Sequence, residues 1–456
     1  MTGGFILVSG FILFFNLWGR SLENHGYLRY AEVAREMIRS GDWIVPRYNG
    51  DVYLDKPPLL FWLMGIPSLV NGSVTPFIAR LPSALAAWIG TGILFLWGRR
   101  MYGTARSGII SAGILLSCYQ YYSQARTAKT DVLFCLLVLL SLYFFYLGYQ
   151  TSGMRRVLYR WLSFFSMGLG TLTKGPFGFL IPFLIVAAFL LKEKRARMLV
   201  SKEFIVGYLI LIVTGLPWPL LFVGRIGLEQ SIALFKATHP LSRQAPFYFY
   251  FLEIWGQFFP WSLLLPFLGF YIWKERTKVW QTEESLLLVW FVLLFILLTF
   301  FKVRVSRYLL PALPPLALML GGRWKKKWLY FFIPFIVILL AWQIREITWM
   351  RNDIRFSPGR TLTEELRPII KGSPFYGYRL DPSTLAELNF YLDPVVPVPH
   401  FKRPEDLSNR VKKEKKVFIL MTQNQFDALS GEKTLPILPT KGFVYKKERL
   451  VLATRP

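Results

Sequence analysis

The chain has 456 residues, 54% hydrophobic and 17% aromatic with only 18% charged, and a mean hydropathy of +0.38. That composition excludes an ordinary soluble domain and reads as an integral membrane protein. A net charge of +27 would suggest nucleic-acid binding in a soluble chain, but here the basic residues form short clusters between apolar runs, as in cytoplasmic loops and anionic-lipid contacts, and no nucleic-acid motif accompanies them.

A spanning helix needs about 20 mainly apolar residues. Eleven segments qualify, at about 3–19, 77–98, 107–122, 131–149, 161–173, 176–191, 204–224, 260–273, 285–301, 308–322 and 328–344, and a further short pair would bring the total to thirteen. The first has neither a basic n-region nor a small-residue cleavage site, so it reads as a retained anchor. Loops 99–106, 150–160, 192–203, 274–284 and 323–327 hold 18 Lys and Arg in 47 positions, against 15 in 108 for the opposite set. The dense set is expected in the cytoplasm, which places the amino terminus inside and residues after 344 outside.

The first external loop, 20–76, is too long for a simple connection. Tyr27 to Arg39 is predicted to form an amphipathic interfacial helix with Tyr30, Ala31, Ala34 and Met37 on one face and Arg29, Glu32, Arg35, Glu36 and Arg39 on the other. Asn49-Gly50 marks a turn, Asp55-Lys56-Pro57-Pro58 a sharp stop, and Leu59–Val70 an apolar segment too short to span. Loop 225–259 repeats the style, with a helix at 228–236, then His239-Pro240-Leu241-Ser242-Arg243 and the aromatic run 247–251.

Charges also gather at the outer ends of spans: Arg126, Lys129 and Asp131 before and at the fourth, Lys174 between the fifth and sixth, and Lys302, Arg304, Arg307 and Tyr308 at the tenth. Charged groups at membrane depth are costly and tend to face a cavity or one another, which points to a shared anionic ligand; singly, a long basic side chain at a helix end simply reaches headgroups. The tail, 345–456, has soluble composition and reads as a small α/β domain, with helices at 362–370, 383–391 and 404–413 and strands at 375–380, 417–421 and 443–452. No catalytic motif is evident in it. The domain organisation is therefore a transmembrane part, 1–344, and an extracytoplasmic part, 345–456.

The stretches LRYAEVAREMIRSGDWIVPRYNGDVYLDKPPLLFWL (28–63), ARLPSAL (79–85), ARTAKTDVLF (125–134), GTLTKGP (170–176), APFYFYFLEIWGQFFPWSLLLP (245–266) and KVRVSRYLLPALPPLAL (302–318) resemble the aminoarabinose-transferase and protein O-mannosyltransferase-like glycosyltransferases of GT-C fold. The resemblance covers most of 20–320 in order. It implies a polyprenyl-phosphate-linked sugar as donor, transferred at the outer face of the cell membrane to a lipid, glycan or protein acceptor, lipid A included. By its motifs, Lys56 and Tyr308 are the first phosphate contacts and Arg243, Lys302, Arg304 and Arg307 the second. Arg29, Tyr30, Glu32, Tyr53, Asp55, Arg126, Lys174 and His239 are expected to bind substrate or orient the loops.

An inverting displacement also needs a carboxylate to take the acceptor's proton. The family's Asp-Glu pair is absent here, its positions being Gly26-Tyr27, so the base falls to Glu23 or to Asp131, with His25 a further candidate. Cys118 and Cys135 lie in apolar runs, the three histidines are scattered, and there is no Asp-x-Asp or P-loop, so no metal or other cofactor is expected. Two other readings are an inactive relative that keeps the fold and a transporter or flippase of an anionic lipid; the latter predicts an internal repeat and midspan charges, neither of which is evident.

Overall fold

A computed structural model describes residues 2–19, 22, 27–238, 245–301, 303–323, 341, 358–392, 398–414, 416–431, 437–446 and 448–455. Apart from residue 341, the expected eleventh span, 328–344, lies outside them. The chain divides into two compact units. One comprises Met1–Leu17, Leu54–Leu63 and Phe77–Ile344, and the other Trp18–Tyr53, Met64–Pro76 and Arg345–Pro456. The second unit thus takes in two segments of the first loop besides the tail.

The first unit is a helical bundle. It opens with α1 (Thr2–Phe14), and α4 (Pro76–Tyr102) and α7 (Thr130–Gln150), with the stretch Lys202–Ile226, are long and apolar enough to cross a membrane. Between α4 and α7 the predicted span 107–122 is broken into α5 (Ala105–Ser117) and α6 (Tyr119–Ala125), because Cys118 is extended (φ −65°, ψ 129°). α7 is apolar on every side and buried along nearly its whole length, as such a helix must be. Its neighbours are α8 (Gly153–Lys174) and α9 (Phe177–Lys192).

α8 starts eight residues before the expected span, and Glu203 pairs with both Arg156 and Arg160 in the added turns (3.2 and 3.5 Å). Close approach of α8 and α9 depends on glycine: a Cβ on Gly178 would stand 1.9 Å from the carbonyl carbon of Gly170. α10 (Lys202–Gly215) and α11 (Pro217–Ile226) split the next span at Leu216, since Pro217 supplies no N–H to continue the ladder. There follow α12 (Leu228–Thr238), α13 (Phe249–Gln257), α14 (Leu265–Lys274), α15 (Arg276–Gln281), α16 (Glu284–Phe300), a 3-10 run Ser306–Ala312 and α17 (Leu313–Gly322).

In the second unit, the helix expected at 27–39 forms as α2 (Tyr27–Ser40), but the middle of its polar face is not solvated, although Arg29 is exposed. Glu32, Arg35 and Glu36 are as buried as Ala31 and Met37, where an interfacial helix would expose them. The burial is tolerated because Arg35 Nε and Nη2 donate to the two Glu32 oxygens, both at 2.8 Å, so the charges go inside as a bidentate pair. A hairpin, Arg47–Tyr48 with Asp51–Val52, follows around Asn49-Gly50, both at positive φ (56° and 85°), as a two-residue turn requires. Next comes α3 (Leu59–Asn71), whose first turns fall in the first unit.

The tail builds a five-stranded sheet from Phe375–Tyr378, His400–Phe401, Phe418–Thr422, Leu438–Tyr445 and Glu448–Thr454, with the 375, 400 and 418 strands parallel and the last two antiparallel. The single strand expected at 443–452 is a hairpin turning at Lys446, whose φ is 45°. Both faces of the sheet are covered. Phe418, Leu420, Leu450 and Leu452 meet the helices Pro358–Ile370 and Pro382–Leu392, while Ile419, Met421, Val451 and Ala453 meet Pro404–Val411 and Gln423–Gly431, which explains an unbroken apolar strand.

Within this unit the Asn49 turn is fastened to the helix at Pro382: Tyr48 Oη and Asn49 Nδ2 both donate to the Pro382 carbonyl at 2.9 Å, and Asn389 Nδ2 donates to Asn49 Oδ1 at 3.0 Å. Glu36 holds the turn from the other side, accepting the Gly50 N–H at 3.0 Å. Burial, with the nearby Glu32 charge, pushes the Glu36 carboxyl up to about 7. A carboxyl raised in the folded state binds its proton there more tightly than in the unfolded chain. Stability is therefore greatest below the ordinary value of 4.5 and falls through the window up to about 7, by about 3 kcal/mol for a shift of this size. The difference in melting temperature between pH 5 and pH 8 should be smaller in Glu36→Gln than in the parent; an equal difference would refute the assignment.

Candidate functional site

Three of the charged groups singled out at the ends of spans, Asp131, Lys174 and Arg307, converge within the first unit. Lys129 is extended (φ −139°, ψ 161°) and ends the turn before α7, pinned by a hydrogen bond from Ser83 Oγ to its carbonyl (3.0 Å). Asp131 therefore lies in the first turn of α7, where the helix dipole favours a carboxylate. Lys174 is the last residue of α8, favoured there for the opposite reason, and Gly175 (φ 62°) closes the helix by donating its N–H to Thr171 O at 2.9 Å.

Lys174 Nζ donates to Asp131 Oδ1 at 2.6 Å, and Arg307 Nε stands 3.3 Å from Asp131 Oδ2. The carboxylate is 4% exposed, so both its oxygens are committed to cations in a nearly dry place. Lys174 also lies over the rings of Phe134 and Tyr308 (4.9 and 5.0 Å), and Arg307 over Tyr308 (5.8 Å). Lys56 and Asp55 reach the same group electrostatically, Lys56 acting on Lys174 and Asp55 on Tyr308. Lys56 Nζ donates to both the carboxylate and the carbonyl of Asp55, each at 2.8 Å.

Capacity for a ligand remains. Among the described residues the Tyr308 hydroxyl and the terminal guanidinium nitrogens of Arg307 make no hydrogen bond, and Lys56 keeps one N–H. Three cations against two carboxylates leave a net positive charge. The arrangement is able to bind a phosphate monoester through directed donors and to stabilise charge arriving on its oxygens.

Other expected residues go elsewhere. Arg126 donates to the carbonyls of Ile12, Leu13 and Phe15 (3.2, 3.1 and 2.8 Å), closing the end of α1, whose last carbonyls have no helical partner. Arg304 spends Nε and Nη2 on Thr299 O (3.3 and 2.7 Å) and Nη1 on Ala245 O, so its donors serve the backbone. Arg29, Tyr30, Glu32 and Tyr53 belong to the second unit, where Arg29 stacks on Tyr48 (5.9 Å) and hydrogen-bonds Tyr53. Glu23, His25, His239, Arg243 and Lys302 lie outside the described residues. Sequence reasoning overlooked Tyr250, whose buried hydroxyl holds Val305; inside the run FYFYF nothing separates it from membrane-facing aromatics. No three His, Cys, Asp or Glu side chains converge among the described residues.

The fold of this chain is known. It superposes on ArnT from Cupriavidus metallidurans in the apo state with a TM-score of 0.78 at 20% identity, covering 99% of this chain and 97% of that one. Against the same protein bound to undecaprenyl phosphate the score is 0.77 at 19% identity, covering 100% and 98%. The protein is thus a polytopic helical protein of GT-C fold with a small α/β domain.

Residues 55–219 match the dolichyl-phosphate-mannose-protein mannosyltransferase family model. An uncharacterized protein of Aquifex aeolicus is 31% identical over 69% of this chain and 62% of its own. The undecaprenyl phosphate-alpha-4-amino-4-deoxy-L-arabinose arabinosyl transferase 2 of Pseudomonas fluorescens is 30% identical over 70% of this chain and 55% of its own. The chain is thus similar to the aminoarabinose transferases and to the protein mannosyltransferase family model, and its match spans about three-fifths of the length of these relatives.

Proposed function

We propose that the chain is a membrane glycosyltransferase that moves a sugar from a polyprenyl-phosphate donor to an extracytoplasmic acceptor, lipid A or another glycolipid, a glycan or a protein. The observation that carries this reading is the cluster of Lys56, Lys174, Arg307 and Tyr308 around Asp131, with donors to spare for one phosphate. The undecaprenyl phosphate bound by the Cupriavidus protein and the donor in the relatives' names support the same ligand class.

In the reaction, the acceptor oxygen bonds to the anomeric carbon as the bond from that carbon to the phosphate oxygen breaks. The leaving lipid phosphate takes up the electron pair and meets Arg307, Tyr308 and Lys56, while the acceptor's proton passes to a carboxylate. With both oxygens bound to cations, Asp131 suits a positioning role better than a basic one, which leaves Glu23 as the proposed base. No metal enters the scheme, since the cations present are suited to neutralising a monophosphate.

The experiment is transfer by the purified chain in vesicles, with EDTA present, from lipid-linked sugars that accumulate in a strain lacking the protein. Failure to bind undecaprenyl phosphate would end the reading. Gly26-Tyr27 in place of the family's acidic pair favours one second reading, an inactive relative, which predicts lipid binding without turnover. The orientation rests on loop charge: reporter fusions after Lys327 should read cytoplasmic and after His400 external, and the reverse would move the site to the wrong side for this chemistry.

A further inference from the structure

The turn that carries Arg307 and Tyr308 has little hold of its own. It is a 3-10 run, Ser306–Ala312, interrupted by Pro311 and entered from an extended Val305 (φ −140°, ψ 130°). Such runs have poorer hydrogen-bond geometry than an α-helix. Its entry is fixed from another segment, by Tyr250 in the first turn of α13.

Tyr250 is 0% exposed, and its hydroxyl accepts the Val305 N–H at 3.1 Å and faces the Val305 carbonyl, to which it donates, at 3.3 Å. That carbonyl also accepts the N–H of Tyr308 at 2.9 Å. One residue earlier, Arg304 ties the chain to Ala245, in the segment leading into α13, and to Thr299 at the end of α16. A ring present only to fill space needs no hydroxyl, and a buried hydroxyl without partners is costly. Here both hydrogen-bonding functions of the phenol go to the backbone of one residue, two positions before Arg307 and three before Tyr308.

We propose that Tyr250 is a positioning residue for the phosphate site: it holds Val305, and through it the turn from which Arg307 and Tyr308 reach the ligand. The proposal rests on the phosphate role assigned above to those two side chains. Tyr250 itself touches no reacting atom. The 245–257 segment is then a support of the donor site and not only a membrane-facing aromatic run.

Tyr250→Phe keeps the ring and removes the hydroxyl. With undecaprenyl phosphate in nanodiscs as the probe, its affinity should fall about tenfold, the scale of one or two lost hydrogen bonds. Backbone hydrogen exchange in 303–309 should rise in the same variant without ligand. In turnover, kcat/KM for the donor should fall by a similar factor, since Arg307 and Tyr308 also meet the charge of the leaving phosphate. Lys56→Ala is the control, expected to weaken lipid binding without changing exchange in 303–309. Unchanged exchange in Tyr250→Phe overturns the proposal, whether or not affinity changes, and so does faster exchange with full affinity. Loss of both properties only in Tyr250→Leu would also overturn it, leaving the ring as mere packing. If the parent chain binds no undecaprenyl phosphate, the functional reading fails and the phosphate role of Tyr250 falls with it, a result distinguishable because exchange still reports the hold on Val305.

Discussion

Asp131→Asn is expected to weaken both the fold and donor binding. The carboxylate sits between Lys174 and Arg307 at 2.6 and 3.3 Å and is almost wholly enclosed. An amide there leaves the Lys174 charge without its counter-ion in a nearly dry site, and breaking a buried pair by removing one partner costs about 3–5 kcal/mol. The melting temperature in detergent should fall accordingly, and binding of undecaprenyl phosphate should drop with it, because Lys174 and Arg307 lose the anchor that holds them beside Tyr308. The double change Asp131→Asn with Lys174→Met separates the two effects. Removing both charges should restore much of the stability but not the binding. Recovery of both would show that the pair serves the fold alone. Full stability of the single variant would show that Asp131 is not the anchor of the cluster.

Lys56→Ala is expected to spare the fold and impair the reaction. Lys56 is bound only to its neighbour Asp55 among the described residues, and a partly exposed pair of that kind contributes about 0–1 kcal/mol, so the melting temperature should barely move. A charge-assisted contact to the phosphate is worth about 1.5–3 kcal/mol, which corresponds to a tenfold or greater loss of donor affinity and of kcat/KM. Lys56→Arg keeps the charge but not the compact ammonium, so it should recover only part of the activity. Normal turnover at low donor concentration in well-folded Lys56→Ala would remove Lys56 from the site and leave Arg307 and Tyr308 to hold the phosphate.

The linear sequence was enough for what depends on local composition and periodicity. Apolar runs of spanning length, the amphipathic spacing of 27–39, the Asn49-Gly50 turn and the short apolar run 417–421 each follow from a residue's own neighbours. The likeness of the family stretches was legible for the same reason, since motifs such as DKPP and TLTKGP are short and contiguous. Breaks within helices were harder to see: the kink at Cys118 has no proline or glycine to announce it. The hairpin at 446 was missed because its turn carries lysines where glycine or asparagine is usual.

Tertiary structure alone decided which charges meet. Asp131, Lys174 and Arg307 are separated by 43 and 133 residues along the chain, and no spacing rule connects them. They converge because α7 begins where α8 ends and because the turn after α16 returns to the same end of the bundle. The same geometry sorts residues that look alike on paper, so Arg126 and Arg304 serve backbone carbonyls while Arg307 keeps donors for a ligand. It also reversed the reading of 27–40. A polar face was expected to be solvated, since burying charge is costly, but a bidentate Glu32–Arg35 pair and a turn hydrogen-bonded by Glu36 remove that cost. Pairing of this kind is a property of three-dimensional neighbours, and the one-dimensional pattern carries no record of it.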